Sequence, residues 1–181
     1  EINRLVIDGL SDLLFTAGMG STSATNREGA EQSHVYLVGN ILMDTLRFNR
    51  NRLQRPSLLD DMAIADGEYL VFTLNRKALL ADTANLKAML SALCSAARGV
   101  KVIAPLRDTA RQVVEPLVNG CDNFVVVQPL SYLEFGYRTA RAKGIITDSG
   151  NVAEEATFNG VPCITLNSYT EHIETVKCGS N

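Results

Sequence analysis

From residue 69 to residue 166 the chain alternates short, wholly apolar runs with segments of helical spacing. That alternation restricts the fold more than any other feature. Tyr69–Leu74, Val100–Pro105, Phe124–Val127, Gly144–Thr147 and Pro162–Leu166 read as strands of four to six residues. Between them, Thr83–Ala97, Thr109–Val118, Tyr132–Ala142 and Val152–Asn159 carry helical periodicity. Strands with no polar alternation are buried on both faces, which calls for helices on each side of a parallel sheet. The same rhythm begins upstream, with a β-rich run at His34–Val38 and helical spacing from Ile41 to Asn49. Gln54–Asp66, broken by Pro56 and Asp60-Asp61, reads as a loop with room for one turn of helix. The expectation is an α/β, doubly wound, Rossmann-like domain over residues 34–181, with residues 1–33 as the end of a preceding domain.

Within residues 1–33, Ile2, Leu5, Val6 and Leu10 predict a short amphipathic helix and Leu13–Phe15 a buried apolar run. Gly18–Ser23 reads as a loop, with Ser23 capping a helix through Asn26–Ala30. The chain opens on Glu1 inside the first helix and stops on the turn Cys178-Gly-Ser-Asn181, so it reads as a fragment.

Composition removes several function classes. A net charge of −3 over 181 residues is not that of a general nucleic-acid binder, which concentrates basic charge against phosphates. No apolar run reaches the length of a bilayer span, so no membrane partner is expected and cytoplasm is the default. Cys94, Cys121, Cys163 and Cys178 are far apart with no CxxC pair, and are read as reduced thiols rather than a metal site; no metal and no cofactor are expected.

In an open parallel sheet ligands bind beyond the carboxyl ends of the strands. Five loops lie there: Gly39-Asn40, Asn75–Lys77, Leu106–Asp108, Pro129–Tyr132 and Asp148–Asn151. The last joins the strand Ile145-Ile146-Thr147 to a helix starting near Val152. Its small residues let a ligand approach the backbone, and a helix start offers unpaired N–H groups to an anion. On spacing alone, Ser149 or Asp148 serves equally well as a plain helix cap. Glu154 and Glu155 suit the helix dipole but repel a nearby phosphate, and fit better if one of them accepts hydrogen bonds from sugar hydroxyls.

Thr147-Asp-Ser-Gly-Asn-Val-Ala-Glu-Glu-Ala156, Gly160-Val-Pro-Cys163 and Thr170-Glu-His-Ile-Glu-Thr175 closely resemble the C-terminal signature of UDP-N-acetylglucosamine 2-epimerases, TDSGG-x-x-EE, GxP and TERPE. Glu1-Ile-Asn-Arg4 resembles the tail of the family's PEExNR segment, Val38-Gly39-Asn40 with Asp44 its VGN-x-x-x-D, Thr73–Arg76 its T-x-HR, and Pro129–Phe135 its P-x-x-Y-x-x-F. The resemblance covers essentially the whole chain in order. It implies a glycosyltransferase-B-like fold of two Rossmann-like halves with substrate between them. Residues 1–33 would then end the N-terminal half, and residues 34–181 would form most of the C-terminal, UDP-binding half.

The resemblance also implies roles. Ser149 and Gly150 would hold the UDP pyrophosphate, Glu155 would receive the ribose hydroxyls and Phe135 would lie near the uracil. Asn151 stands where the family has a second Gly and also tolerates left-handed backbone angles. Asn75, beside Arg76, replaces the family's His with a neutral amide, and His172 replaces the Arg of TERPE with a donor that titrates near neutrality. Arg107 replaces a His after the strand-end proline and restores positive charge, or is a solvated surface Arg.

The family reaction, as the resemblance implies it, removes the sugar C2 proton and eliminates UDP to give 2-acetamidoglucal. Reprotonation on the opposite face and return of UDP complete the epimerisation. It needs carboxylates from the N-terminal half, and the catalytic Glu of PEExNR would precede Glu1, so this chain is expected to hold UDP or UDP-GlcNAc without turning it over. A homodimer is expected of the full-length protein. The competing readings are a glycosyltransferase of the same architecture using a UDP-sugar donor, and a non-catalytic UDP-sugar-binding protein.

Overall fold

The structure is a computed structural model that describes residues 2–169 and 172–181. Two compact units divide between Phe48 and Asn49. In the first, helix α1 (Ile2–Leu10) is followed by strand β1 (Leu14–Thr16), helix α2 (Met19–Arg27), strand β2 (Val35–Leu37) and helix α3 (Ile41–Asn49). β1 and β2 pair in parallel, Leu14 opposite Val35. The run at residues 35–37 therefore pairs within the first compact unit rather than opening the five-stranded sheet.

Two further expectations in this unit give way. The apolar run at Leu13–Phe15 is not buried: Phe15 is 67% exposed, because a two-stranded sheet has too few neighbours to cover both faces. The Gly/Ser/Thr stretch is helical from Met19, earlier than the Ser23-capped helix expected. Its hydroxyls turn back onto carbonyls one turn earlier, Thr22 to Gly18 at 3.2 Å and Thr25 to Ser21 at 2.9 Å, so they do not compete with the helix ladder.

The second unit follows the predicted rhythm closely. A short helix α4 (Ser57–Asp61) leads into β3 (Tyr69–Thr73), then α5 (Lys77–Ala81), α6 (Thr83–Ala96), β4 (Lys101–Pro105), α7 (Asp108–Leu117) and β5 (Phe124–Val127). The series continues with α8 (Tyr132–Ala140), β6 (Gly144–Thr147), α9 (Gly150–Asn159), β7 (Cys163–Thr165) and α10 (Ile173–Lys177). Helices α5 and α10 were not expected; each is a short turn of helix in a stretch too brief to show periodicity. The five strands form one parallel sheet in the order β5-β4-β3-β6-β7.

Neighbouring residues along a strand feed opposite cores, as a doubly covered sheet requires. Phe72 and Val102 pack with Leu86, Leu90, Val114 and Phe124, the Phe72 and Phe124 rings meeting edge-on at 5.5 Å. Val71, Ile103 and Ile145 pack on the other side with Leu59, Tyr69, Ala153 and Ala156. Gly160, at φ 71°, ends α9 in the left-handed conformation that glycine adopts without strain.

One feature of this unit runs against the sequence reading, and a second was not read from it at all. Cys94, near the end of α6, is bonded to Cys121 before β5, across 27 residues of sequence; separation along the chain hid a pair that the fold brings to a Cα distance of 6.2 Å. Only Cys163 and Cys178 are free thiols among the described residues, and Cys178 is exposed. Arg138, in the middle of α8, is 0% exposed, and none of its guanidinium nitrogens meets a hydrogen-bond partner among the described residues. No described helix is long and apolar enough to cross a membrane.

Candidate functional site

The strand order places the site. The chain leaves β3 towards β4 and β5, then returns to lay β6 on the other side of β3. The carboxyl ends of β3 and β6 are therefore the point where the winding reverses, and the two following loops diverge to leave a crevice. Thr73 and Thr147 are register partners at that end, joined through their hydroxyls at 2.6 Å.

Helix α9 starts at Gly150, two residues earlier than expected, which makes Ser149 its N-cap residue. The Ser149 side chain makes no capping hydrogen bond, and its own N–H is held by Thr147 Oγ1 at 3.0 Å. The first helical bond is donated by Ala153 N–H to the Ser149 carbonyl. The N–H groups of Gly150, Asn151 and Val152 thus lie outside the helix ladder at its positive end.

Asp148 is not a cap either. It is 2% exposed, and its Oδ2 accepts from the backbone N–H groups of Asn75 at 2.7 Å and Arg76 at 2.6 Å. Its carbonyl accepts from Arg76 Nε at 3.1 Å and Asn167 Nδ2 at 3.3 Å. One carboxylate thereby ties the loop after β3 to the loop after β6. Arg76 is held a third time through Tyr169, whose hydroxyl accepts from Nη1 at 3.0 Å while the guanidinium lies 5.6 Å from its ring centre.

Around these loops lies an open cleft of about 350 Å³ lined by Asn75, Arg76, Ser149, Gly150, Asn151 and His172, with Asp148 and Tyr169 in its wall. The His172 imidazole stands over Gly150 so closely that an added Cβ there would fall on the ring at Cδ2 and Nε2. Its other nitrogen, Nδ1, is 2.9 Å from Glu154 Oε1 of α9. A second cleft of about 200 Å³ shares Asn75 and Ser149 with the first and is lined by Arg107, Pro129 and Phe135. Arg107 lines this cleft and is also exposed to solvent, so the structure does not separate its two readings.

Seven of the eight expected site residues meet at these two clefts. Glu155 does not line either of them. It is buried at 9% exposure one turn into α9, and its carboxyl is pushed above its usual range, first by loss of solvation and then by the neighbouring Glu154. Burial, and after it the Glu155 carboxylate, push the Tyr132 phenol above its usual range. Asp148 and Tyr169 escaped the sequence reading: Asp148 was visible in the turn but read as a cap. Thr170 and Glu171 of the quoted motif lie outside the described residues.

A protein-family model described as UDP-N-acetylglucosamine 2-epimerase matches residues 1–181. A UDP-N-acetylglucosamine 2-epimerase homolog of Methanococcus maripaludis is 32% identical over all of this chain, which covers 52% of that protein. The UDP-2,3-diacetamido-2,3-dideoxy-D-glucuronate 2-epimerase of Pseudomonas aeruginosa is 33% identical, again over the whole chain and 51% of its own length. Among solved structures, Methanocaldococcus jannaschii UDP-GlcNAc 2-epimerase in complex with UDP-GlcNAc and UDP matches with a TM-score of 0.86 at 28% identity, over 100% of this chain and 52% of that one. The chain spans about half the length of the curated relatives it matches, and its fold is α/β and glycosyltransferase-B-like, as expected.

Proposed function

Because the chain belongs to the UDP-N-acetylglucosamine 2-epimerase family, we propose that it is the UDP-sugar-binding part of an enzyme interconverting UDP-GlcNAc and UDP-ManNAc. The observation that carries this reading is the start of α9. An unspent Ser149 hydroxyl and a run of N–H groups face a cleft bearing Arg76 and His172. Such a helix start suits a diphosphate. Phe135 in the adjoining cleft then lies against the uracil and Asn75 spans both subsites. Glu155 receives the ribose hydroxyls. The complete protein removes the C2 proton, expels UDP from C1 to leave 2-acetamidoglucal, and returns the proton and UDP with C2 inverted. Residues 1–33, in this reading, end the N-terminal half, and residues 34–181 form most of the C-terminal half. A cytoplasmic homodimer, with no nucleic-acid partner, belongs to the same reading; in a cytoplasm the Cys94–Cys121 bond would be held reduced.

The test is an assay of the complete protein on UDP-GlcNAc, following the 2-epimer, free sugar and transfer to acceptors separately. The 2-epimer as product supports the proposal, whereas sugar transfer to an acceptor would assign a glycosyltransferase and binding without turnover a regulatory protein. Ser149→Ala is expected to weaken UDP by about 1–2 kcal/mol, the scale of a hydrogen bond to a charged group, measured by calorimetry.

Glu155→Gln separates ribose recognition from stability. The variant is expected to weaken UDP roughly tenfold and leave pyrophosphate affinity unchanged, since pyrophosphate has no ribose. Its effect on folding has the opposite sign. A carboxyl whose folded value is raised holds more protons folded than unfolded, so its contribution to stability is fully present below the unfolded value and declines as pH rises through the folded one. Glu155→Gln removes that decline. Urea unfolding should show the variant more stable than wild type at pH 7 and level with it at pH 4.

A further inference from the structure

We propose that Cys94 and Cys121 are a reversible dithiol–disulfide pair that exchanges with small thiols of the glutathione class and, when closed, locks the second unit against unfolding. The proposal is independent of the nucleotide reading. Cys94, near the end of α6, is bonded to Cys121 just before β5. Exchange requires a thiolate to reach one of the sulfurs, so access decides whether a disulfide is labile. Both cysteines are only partly buried, and together they line an open cleft of about 490 Å³. Arg98 lines it as well and Lys101 stands beside it, its Nζ donating to the Asp122 carbonyl at 2.8 Å, so two cations adjoin the Asp122 carboxylate. Glutathione carries more carboxylate than ammonium charge, which suits that rim. Cys163 is no rival, since burial pushes its thiol up to about 11.

To open the pair, a glutathione thiolate attacks one sulfur, the S–S bond breaks and the other sulfur leaves as a thiolate. A second glutathione thiolate then displaces the remaining cysteine from this mixed disulfide. Glutathione disulfide departs with the oxidation, and the protons lost by the two glutathione thiols end on Cys94 and Cys121. Closing runs the same steps backwards, with glutathione disulfide as the oxidant. The open state is also provided for. Cys121 Sγ lies 2.9 Å from Asn123 Oδ1, so the freed thiol has an acceptor. Asn123 Nδ2 donates to the carbonyls of Ala97 at 2.8 Å and Cys94 at 3.3 Å, holding the end of α6 beside β5 with or without the bond. The sulfurs therefore stay near one another when reduced, and the second step of closing is intramolecular. The closed bond encloses β4 and α7 in a loop, which removes freedom from the unfolded chain. Because β4 and β5 run parallel with β3 and β6, the pair lies at the amino end of the sheet, away from the nucleotide cleft. The lock acts on stability and leaves ligand affinity alone.

The experiment equilibrates the complete protein in mixtures running from wholly reduced to wholly oxidised glutathione, and maps its thiols by alkylation and peptide mass spectrometry. Wild type is expected to pass reversibly between dithiol and bond within that range. Its melting temperature should be about 5 °C higher with the bond closed, and its UDP affinity the same in both states. Cys121→Ser should carry one glutathione on Cys94, and its melting temperature should not rise with oxidation. Arg98→Glu should slow opening by glutathione roughly threefold more than opening by 2-mercaptoethanol, whose only charge is the attacking thiolate. A bond that glutathione does not open in the folded protein would overturn the proposal. So would glutathione found on Cys178 with Cys94 and Cys121 unchanged. Equal melting temperatures in the two states would do the same, because the bond would then lock nothing. UDP affinity that follows the bond would contradict an action on stability alone, whereas no UDP affinity in either state counts against the nucleotide reading and leaves the thiol results to decide this one.

Discussion

Replacing Arg138 with methionine is expected to stabilise the chain by about 2 kcal/mol, an unusual direction for a core substitution. Arg138 is 0% exposed, and its Nε, Nη1 and Nη2 find no hydrogen-bond partner among the described residues. Burial pushes the guanidinium below its ordinary value, against smaller favourable contributions from Tyr69 and Glu134. A charge taken out of water without a partner costs several kcal/mol, and methionine keeps the unbranched stem that fills the space. The helix loses nothing by the change: the Tyr69 hydroxyl donates to the backbone carbonyl of residue 138, at 2.9 Å, whatever the side chain. Urea unfolding near neutral pH measures the difference. A loss of stability instead would show that the cation is compensated, and Arg138→Lys would then fall with it.

Asp148→Ala should cost about 3 kcal/mol in the same assay, and should weaken UDP as well. The substitution leaves two backbone N–H groups, of Asn75 and Arg76, without the charged acceptor that they share. Because those bonds hold the loop after β3 against the start of α9, the loss extends from stability to the ligand. Asp148→Asn retains one oxygen and should lose about 1 kcal/mol. Equal losses for the two variants would mean that charge, rather than the position of one oxygen, holds the loop.

The sheet was readable because its strands are apolar on both faces and bounded by turn residues, a pattern that survives without any knowledge of partners. Phe124–Val127 and Gly144–Thr147 are placed to the residue. The starts of α7 and α9 were read late, while those of α3, α6 and α8 were placed to the residue. Asp108 and Gly150 favour turns by composition, yet each takes the first helical position, where the cost of a poor helix former is small. The serine- and threonine-rich α2 was hidden for a related reason, since its hydroxyls satisfy their own helix rather than a loop. In the candidate site, the motif residues after β3 and β6 were legible as positions. What they do to one another was not. The Asp148 tether spans 73 residues to Asn75, and the Glu154–His172 contact joins α9 to the segment before α10. Neither leaves a trace in local spacing: the first depends on β6 lying next to β3, and the second on β7 lying next to β6. The Cys94–Cys121 bond was missed on the same ground.

The most direct test of UDP binding at the start of α9 is a titration of UDP into the chain, observed at its backbone amides by heteronuclear NMR. Amides of Ser149, Gly150, Asn151 and Val152 should show the largest shifts, with Asn75 and Phe135 following at the same half-saturation. Saturable shifts confined to other strand ends, with residues 149–152 unmoved, would contradict it.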